Sequence, residues 1–174
     1  RRRYRERLTA LAGTGAAAPA IAPLLAANAA SAEMIAGDDQ RLVAKDVVYG
    51  GSSGEMKGYL VRPKEASAPL GSVIVIHENR GLNPHIRDVA RRMALEGFIA
   101  LAPDFLSPSG GTPGNEDQAR EMIGKLDPAV TTANAEASLK FLMELDGANG
   151  KVGAMGFCWG GGLVNRFATK SPGL

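Results

Sequence analysis

Apolar positions along the chain fall into short β-type runs, separated by stretches in which they recur every three to four residues. Residues 42–62 alternate loosely around Gly50-Gly51-Ser52-Ser53-Gly54, which predicts a hairpin with strands at 43–49 and 55–62. Residues 63–71 read as a polar loop. Val73-Ile74-Val75-Ile76 is an unbroken β-branched run, as expected of a strand buried on both faces of a parallel sheet. A helix is expected over 85–96, with Ile86, Val89, Ala90, Met93 and Ala94 on one face and Gly97 closing it. Residues 98–102 form the next buried strand, ended by Pro103-Asp104. Pro, Gly and Ser make 106–114 a loop, and a short helix follows over 116–125. Pro128 suits the first turn of a helix running to about residue 145, with Val130, Ala133, Ala137, Leu142 and Leu145 expected inward. Residues 146–150 read as a turn, 151–157 as a buried strand, and 162–168 as the start of a last helix. Strand and helix alternate, so the fold class is α/β, with right-handed crossovers and a mostly parallel sheet flanked by helices.

The junction of the last strand and helix carries the candidate chemistry. Gly156-Phe157-Cys158-Trp159-Gly160-Gly161 places small residues two before and two after the chain's single cysteine. Strand, sharp turn and helix around a nucleophile is the nucleophile-elbow pattern G-x-S-x-G, with sulfur in place of oxygen. The nucleophile there sits in a strained backbone conformation, and a Cβ at a flanking position would strike the neighbouring strand or helix. Unpaired N–H groups and the dipole at a helix N-terminus favour a thiolate.

Composition changes this picture little for residues 33–174 and more for what precedes them. The 174 residues suffice for one sizeable core, and 45% hydrophobic with 22% charged residues is a globular balance. Residues 1–32 hold five Arg and one Glu, a net +4, whereas 33–174 hold 15 basic and 17 acidic residues, a net −2. No basic stripe marks 33–174, so nucleic acid is not an expected partner. A lone cysteine cannot form an internal disulfide. Arg1-Arg2-Arg3-Tyr4-Arg5-Glu6-Arg7, an Ala-rich stretch broken by Pro19 and Pro23, and Ala30-Ser31-Ala32 together read as a targeting segment with an A-x-A cleavage site. The adjacent arginines and weak hydrophobicity suggest a twin-arginine signal, with Arg5 where such signals carry an apolar residue. Export to the periplasm and a mature chain starting at Glu33 are the expectation; a cytoplasmic protein with an Ala-rich extension is the alternative. No stable membrane span is expected.

Three stretches in register resemble the dienelactone hydrolase (carboxymethylenebutenolidase) family. They are Ile76-His77-Glu78-Asn79-Arg80-Gly81-Leu82-Asn83-Pro84-His85-Ile86-Arg87-Asp88-Val89-Ala90-Arg91-Arg92, then Ala100-Leu101-Ala102-Pro103-Asp104, then Gly156-Phe157-Cys158-Trp159-Gly160-Gly161. The resemblance covers about 42–174, and residues 1–32 look like the leader of the family's exported branch. It implies an α/β-hydrolase fold and hydrolysis of a small lactone or ester through a Cys-Asp-His triad, without metal or organic cofactor. It places Cys158 as the nucleophile and Glu78 as the carboxylate that helps form its thiolate. The backbone N–H groups of Asn79 and Trp159 match the oxyanion-hole donors. Arg120, in Gln118-Ala119-Arg120-Glu121, matches the arginine that binds a substrate carboxylate. Asn79-Arg80 replaces an apolar–aromatic pair of characterised members, and Gly124 stands where a substrate-contacting tyrosine is frequent. The resemblance therefore does not carry dienelactone itself over as the substrate.

In this fold the triad acid and histidine follow the nucleophile. The 16 residues after Cys158 contain neither Asp nor His. Residues 33–174 are accordingly expected to be the N-terminal part of an α/β-hydrolase domain lacking its C-terminal strands. A non-catalytic truncated remnant is the second reading. His77 reads as a hydrogen-bonded core histidine, with a place lining the site as the alternative; His85 reads as a cap or first-turn residue. The glycine spacing around Cys158 fits neither G-x-G-x-x-G nor a P-loop, and Cys158, His77 and His85 lack zinc-ligand spacing. Arg91-Arg92 reads as a solvated helix face.

Overall fold

The computed structural model describes residues 33–171. The expected leader, 1–32, lies outside the described residues. Five strands form one sheet: β1 (Leu42–Gly51), β2 (Gly54–Pro63), β3 (Leu70–Ile76), β4 (Ile99–Asp104) and β5 (Ala148–Gly156). Their order is β1-β2-β4-β3-β5. The hairpin β1–β2 and the pair β2–β4 are antiparallel; β4, β3 and β5 are parallel. The sheet is thus mixed, its parallel part confined to three strands. Four helices connect or close these: α1 (Pro84–Leu95), α2 (Glu116–Gly124), α3 (Pro128–Met143) and α4 (Trp159–Ala168). Among the described residues no helix is long and apolar enough to cross a membrane.

The apolar runs of the central strands serve both faces because neighbouring side chains point oppositely. Ile74, Ile76, Leu101 and Leu60 meet Leu139, Leu142, Leu163 and Phe167 of α3 and α4 on one face. Val73, Val75, Ala100, Ala102 and Val61 meet Ile86, Val89, Ala90 and Ala94 of α1 on the other. Three helix starts are capped by the residue just before them. Asn83 accepts from Ile86 N at 3.0 Å, Asn115 from Asp117 N at 2.9 Å, and Asp127 from Ala129 N at 2.7 Å. Pro128 occupies the first turn of α3, as its position in the sequence required. Cys158, the cap of α4, makes no such bond.

Four expectations need correcting. α3 turns a different stripe inward, with Thr131, Asn134, Ala135, Ser138, Leu139 and Leu142 buried and Val130 39% exposed. Polar residues can face the sheet because each is satisfied. Asn134 Oδ1 accepts from Ser52 N at 2.8 Å, closing the β1–β2 turn. Ser138 Oγ meets Tyr49 Oη at 2.7 Å. β5 starts at Ala148, three residues before the expected strand, and it is the sheet's last strand among the described residues. Its exposed Lys151 and Gly153 share one face of the strand, on either side of buried Val152. Arg91 is not solvated: it is 3% exposed and donates Nε–H to Ile35 O at 2.8 Å. It lies beside buried Asp88, whose carboxylate accepts from the Met34 and Ile35 N–H groups. Phe98 precedes β4 and is 39% exposed.

Candidate active site

The register of β3 and β5 assembles the site. These parallel neighbours pair Ile76 with Gly156, and Phe157 N donates to Ile76 O at 3.3 Å. Glu78 and Cys158 each lie two residues beyond that pair, on loops leaving the same carboxyl edge of the sheet. Sites form at that edge in open α/β sheets.

Cys158 is the sole non-glycine residue with positive φ among the described residues, at φ 50° and ψ −111°. Such a conformation costs on the order of 1–3 kcal/mol and persists where packing enforces it. The packing is visible at the flanking glycines. A Cβ on Gly156 would lie 2.5 Å from Gly160 C and O; one on Gly160 would lie 2.5 Å from His77 O and 2.7 Å from Ile76 O. Backbone therefore meets backbone across the turn, and the strand reverses into α4 with the Cys158 side chain exposed at its tip.

The loop after β3 is a tight turn in which Gly81 N donates to Glu78 O at 3.4 Å, with Gly81 at φ 74°. Glu78, Asn79 and Arg80 are half-buried. A second loop clamps this turn. Asp104, buried at the end of β4, accepts from Leu106 N at 3.0 Å, Thr112 N at 2.7 Å and Thr112 Oγ1 at 2.8 Å. Thr112 Oγ1 in turn accepts from Leu82 N at 2.9 Å. A Cβ on Gly81 would collide with the Thr112 side chain. Sequence reasoning did not find the Asp104–Thr112 clamp; an Asp ending a buried strand before a Gly-rich loop was its only signal.

His77 is fully buried, and both ring nitrogens are engaged. Nδ1 lies 2.7 Å from Glu78 O, a carbonyl that can only accept, so Nδ1 carries the proton. Nε2 accepts from Phe105 N at 3.2 Å. Burial is the main influence lowering its pKa below that of a free histidine, so the ring is neutral. The ring stacks on Trp159, with centroids 5.4 Å apart and planes 11° off parallel. His85, exposed in the first turn of α1, has its ring 6.2 Å from that of Phe157.

Neither the Asn79 N–H nor the Trp159 N–H has an acceptor among the described residues. Trp159 packs against the buried cluster of Leu106 with Ala119 and Ile123 of α2, which draws α2 to the rim of the site. Arg120 on α2 is exposed and paired with Asp117 at 2.7 Å and Glu116 at 4.0 Å. Glu116 also meets Arg80 at 3.6 Å. The structure thus gathers Glu78, Asn79, Cys158 and Trp159 at one sheet edge, with the Arg80–Glu116–Arg120 cluster alongside.

Strand order, crossovers and elbow define an α/β-hydrolase fold, present in part. The chain belongs to the dienelactone hydrolase family, whose sequence pattern matches residues 56–174. A provisionally named hydrolase fragment of Escherichia coli, YghX, is 49% identical over 111 residues, spanning 63% of this chain and 95% of that protein. A provisionally named carboxymethylenebutenolidase of Escherichia coli is 31% identical over 161 residues, spanning 90% of this chain and 57% of that protein. Among solved structures, a provisionally named dienelactone hydrolase of Klebsiella pneumoniae superposes with a TM-score of 0.67 at 29% identity, covering 76% of this chain and 57% of that one. Apart from the YghX fragment, the chain therefore spans little more than half the length of these relatives.

Proposed function

We propose that the protein is a hydrolase of small lactones or carboxylic esters with Cys158 as its covalent nucleophile. The observation that carries this is the backbone of Cys158, forced to positive φ between glycines that admit no Cβ, with its thiol exposed at the start of a helix. Cys158 Sγ attacks the acyl carbon, and the carbonyl oxygen becomes an oxyanion. The Asn79 and Trp159 N–H groups, without acceptors among the described residues, receive it. The C–O bond then breaks, the alkoxide leaves as the alcohol with the proton that the thiol gave up, and a thioester remains for water to hydrolyse. Glu78 stands at the same edge as a partner to the thiol.

Arg120 is assigned to a substrate carboxylate. It exchanges the exposed Asp117 partner for the substrate, a small change in energy because surface ion pairs contribute only about 0–1 kcal/mol. Turnover needs a general base for the thioester step, and His77 is not that base, since both its nitrogens are committed. Residues 1–174 by themselves are accordingly expected to load an acyl group on Cys158 without sustained turnover.

The test is reaction with p-nitrophenyl acetate, followed by nitrophenolate release and intact mass. A single acetyl group on Cys158, absent from Cys158→Ala, is the expected result. Ester cleavage that persists in Cys158→Ala would overturn the assignment.

A further inference from the structure

We propose that His77 is a positioning residue of the oxyanion hole, holding the Glu78 carbonyl so that the Asn79 N–H of the same peptide is aimed at the developing oxyanion. The inference rests on the hydrolase reading above and adds a residue to it.

The argument begins with the peptide group. It is planar, and in the trans form its C=O and N–H point in opposite directions. Whatever fixes the carbonyl of Glu78 therefore fixes the N–H of Asn79. Two donors hold that carbonyl, His77 Nδ1–H at 2.7 Å and Gly81 N–H at 3.4 Å, so the histidine is the shorter and stronger hold. A hydrogen bond on the carbonyl also polarises the peptide and strengthens its N–H as a donor.

His77 can do this because its own ring cannot turn. Nε2 is anchored by the Phe105 N–H at 3.2 Å. Phe105 packs edge-on at 5.7 Å and 72°, and Trp159 covers a ring face at 5.4 Å. Trp159 carries the second oxyanion donor. The His77 carbonyl closes the arrangement from below, since a Cβ on Gly160 would stand 2.5 Å from it. One buried side chain thus touches the peptide of one donor and the residue of the other. A histidine needed only to fill the core could satisfy its nitrogens on any two backbone groups. Here one of them is the reverse side of the Asn79 N–H.

The test uses the full chain that the gene encodes and the isosteric pair His77→Gln and His77→Met. Glutamine offers a donor to Glu78 O and an acceptor to Phe105 N; methionine offers neither. Two reactions of Cys158 are timed in each variant. Acylation by p-nitrophenyl acetate passes through an oxyanion and releases nitrophenolate. Alkylation by iodoacetamide displaces iodide at a saturated carbon and passes through none. Removing an oxyanion donor outright costs about 10²–10³-fold, so misaiming one in His77→Met should slow acylation roughly 30- to 100-fold. Alkylation should stay within about twofold, and His77→Gln should restore acylation to within about threefold of the unsubstituted protein.

Equal loss of acylation and alkylation in His77→Met would mark His77 as merely structural and overturn the proposal. So would undiminished acylation in His77→Met, or a glutamine variant no better than methionine. If His77→Met does not fold, His77→Gln decides alone: slow acylation with normal alkylation refutes the donor–acceptor argument, and fast acylation upholds it. Failure of the unsubstituted protein to release nitrophenolate in a Cys158-dependent reaction is a separate result, which removes the hydrolase reading and this inference with it.

Discussion

Replacing Gly156 by alanine tests whether the elbow is built by backbone contact. The new Cβ would sit 2.5 Å from Gly160 C and O and 2.9 Å from Gly161 N. These atoms belong to the first turn of α4 and cannot swing aside as a side-chain tip would. Ordinary carbon contacts begin at about 3.5 Å, so α4 must retreat by roughly 1 Å. That helix is anchored by Leu163 and Phe167, both fully buried against α3 and the sheet, so the retreat disturbs the core. Overpacking of this kind costs about 1–3 kcal/mol, and rigid neighbours place Gly156→Ala at the upper end. For a chain of this size each kcal/mol lowers Tm by roughly 2–4 °C, so a fall of about 6–12 °C is expected. Trp159 N–H moves with the helix, and a 1 Å misplacement costs about 100-fold in rate. Gly162→Ala is the control. Its Cβ would meet nothing nearer than Arg166 Nη1 at 3.9 Å, so it should gain roughly 0.5–1 kcal/mol from the helix preference for alanine. Urea unfolding and the acylation rate of Cys158 measure both variants. If Gly156→Ala unfolds and reacts as the unsubstituted protein does, the elbow is not held as described. If both variants lose equally, the loss does not come from the Cβ contact.

Further predictions follow from single groups. Cys158→Ala should abolish ester turnover in the full chain and Cys158→Ser should leave a trace, a loss of about three or more orders of magnitude read from kcat/KM; an active alanine variant removes Cys158 from the mechanism. His77 should make stability pH-dependent. Burial holds its folded pKa below the unfolded value near 6.5, so between the two the unfolded chain alone binds the proton. Its contribution is full above about pH 6.5 and is lost as pH falls towards the folded value, by at most about 1.4 kcal/mol per unit. Urea midpoints at pH 7.5 and 5.5 should therefore differ more in the unsubstituted protein than in His77→Gln; equal differences would refute the assignment. Asp104→Asn turns an NH₂ towards the N–H of Leu106 or Thr112 and should cost about 1–3 kcal/mol by thermal unfolding; an unchanged Tm would count against the clamp. Protein purified from its native host is proposed to begin at Glu33, and N-terminal sequencing that finds Arg1 on folded protein would sink the leader assignment.

The sequence by itself determined the elements and their type. Val73-Ile74-Val75-Ile76 and Ile99-Ala100-Leu101-Ala102 are apolar without alternation because helices cover both sheet faces. Pro128 marked a helix start through its fixed φ. Around Cys158 the glycines were legible because the steric demand of an elbow is local. Tertiary structure alone decided which chain neighbours become spatial ones. The order β1-β2-β4-β3-β5 leaves β5 at the end of the described sheet, and three of its nine residues are exposed although its composition reads as buried. Asn134 and Ser138 face inward on α3 because Ser52 and Tyr49, more than 80 residues away, supply partners that no local pattern records. Arg91 is buried for the same reason, with Ile35 and Asp88 as its partners. His77 was legible as a core histidine, but the identity of its acceptor was not. That Nδ1 meets the carbonyl of the Glu78–Asn79 peptide is decided by the loop that leaves β3 and by the Trp159 ring packed over the imidazole. Sequence encodes the hydrogen-bonding capacity of such a residue; only the fold chooses where that capacity is spent.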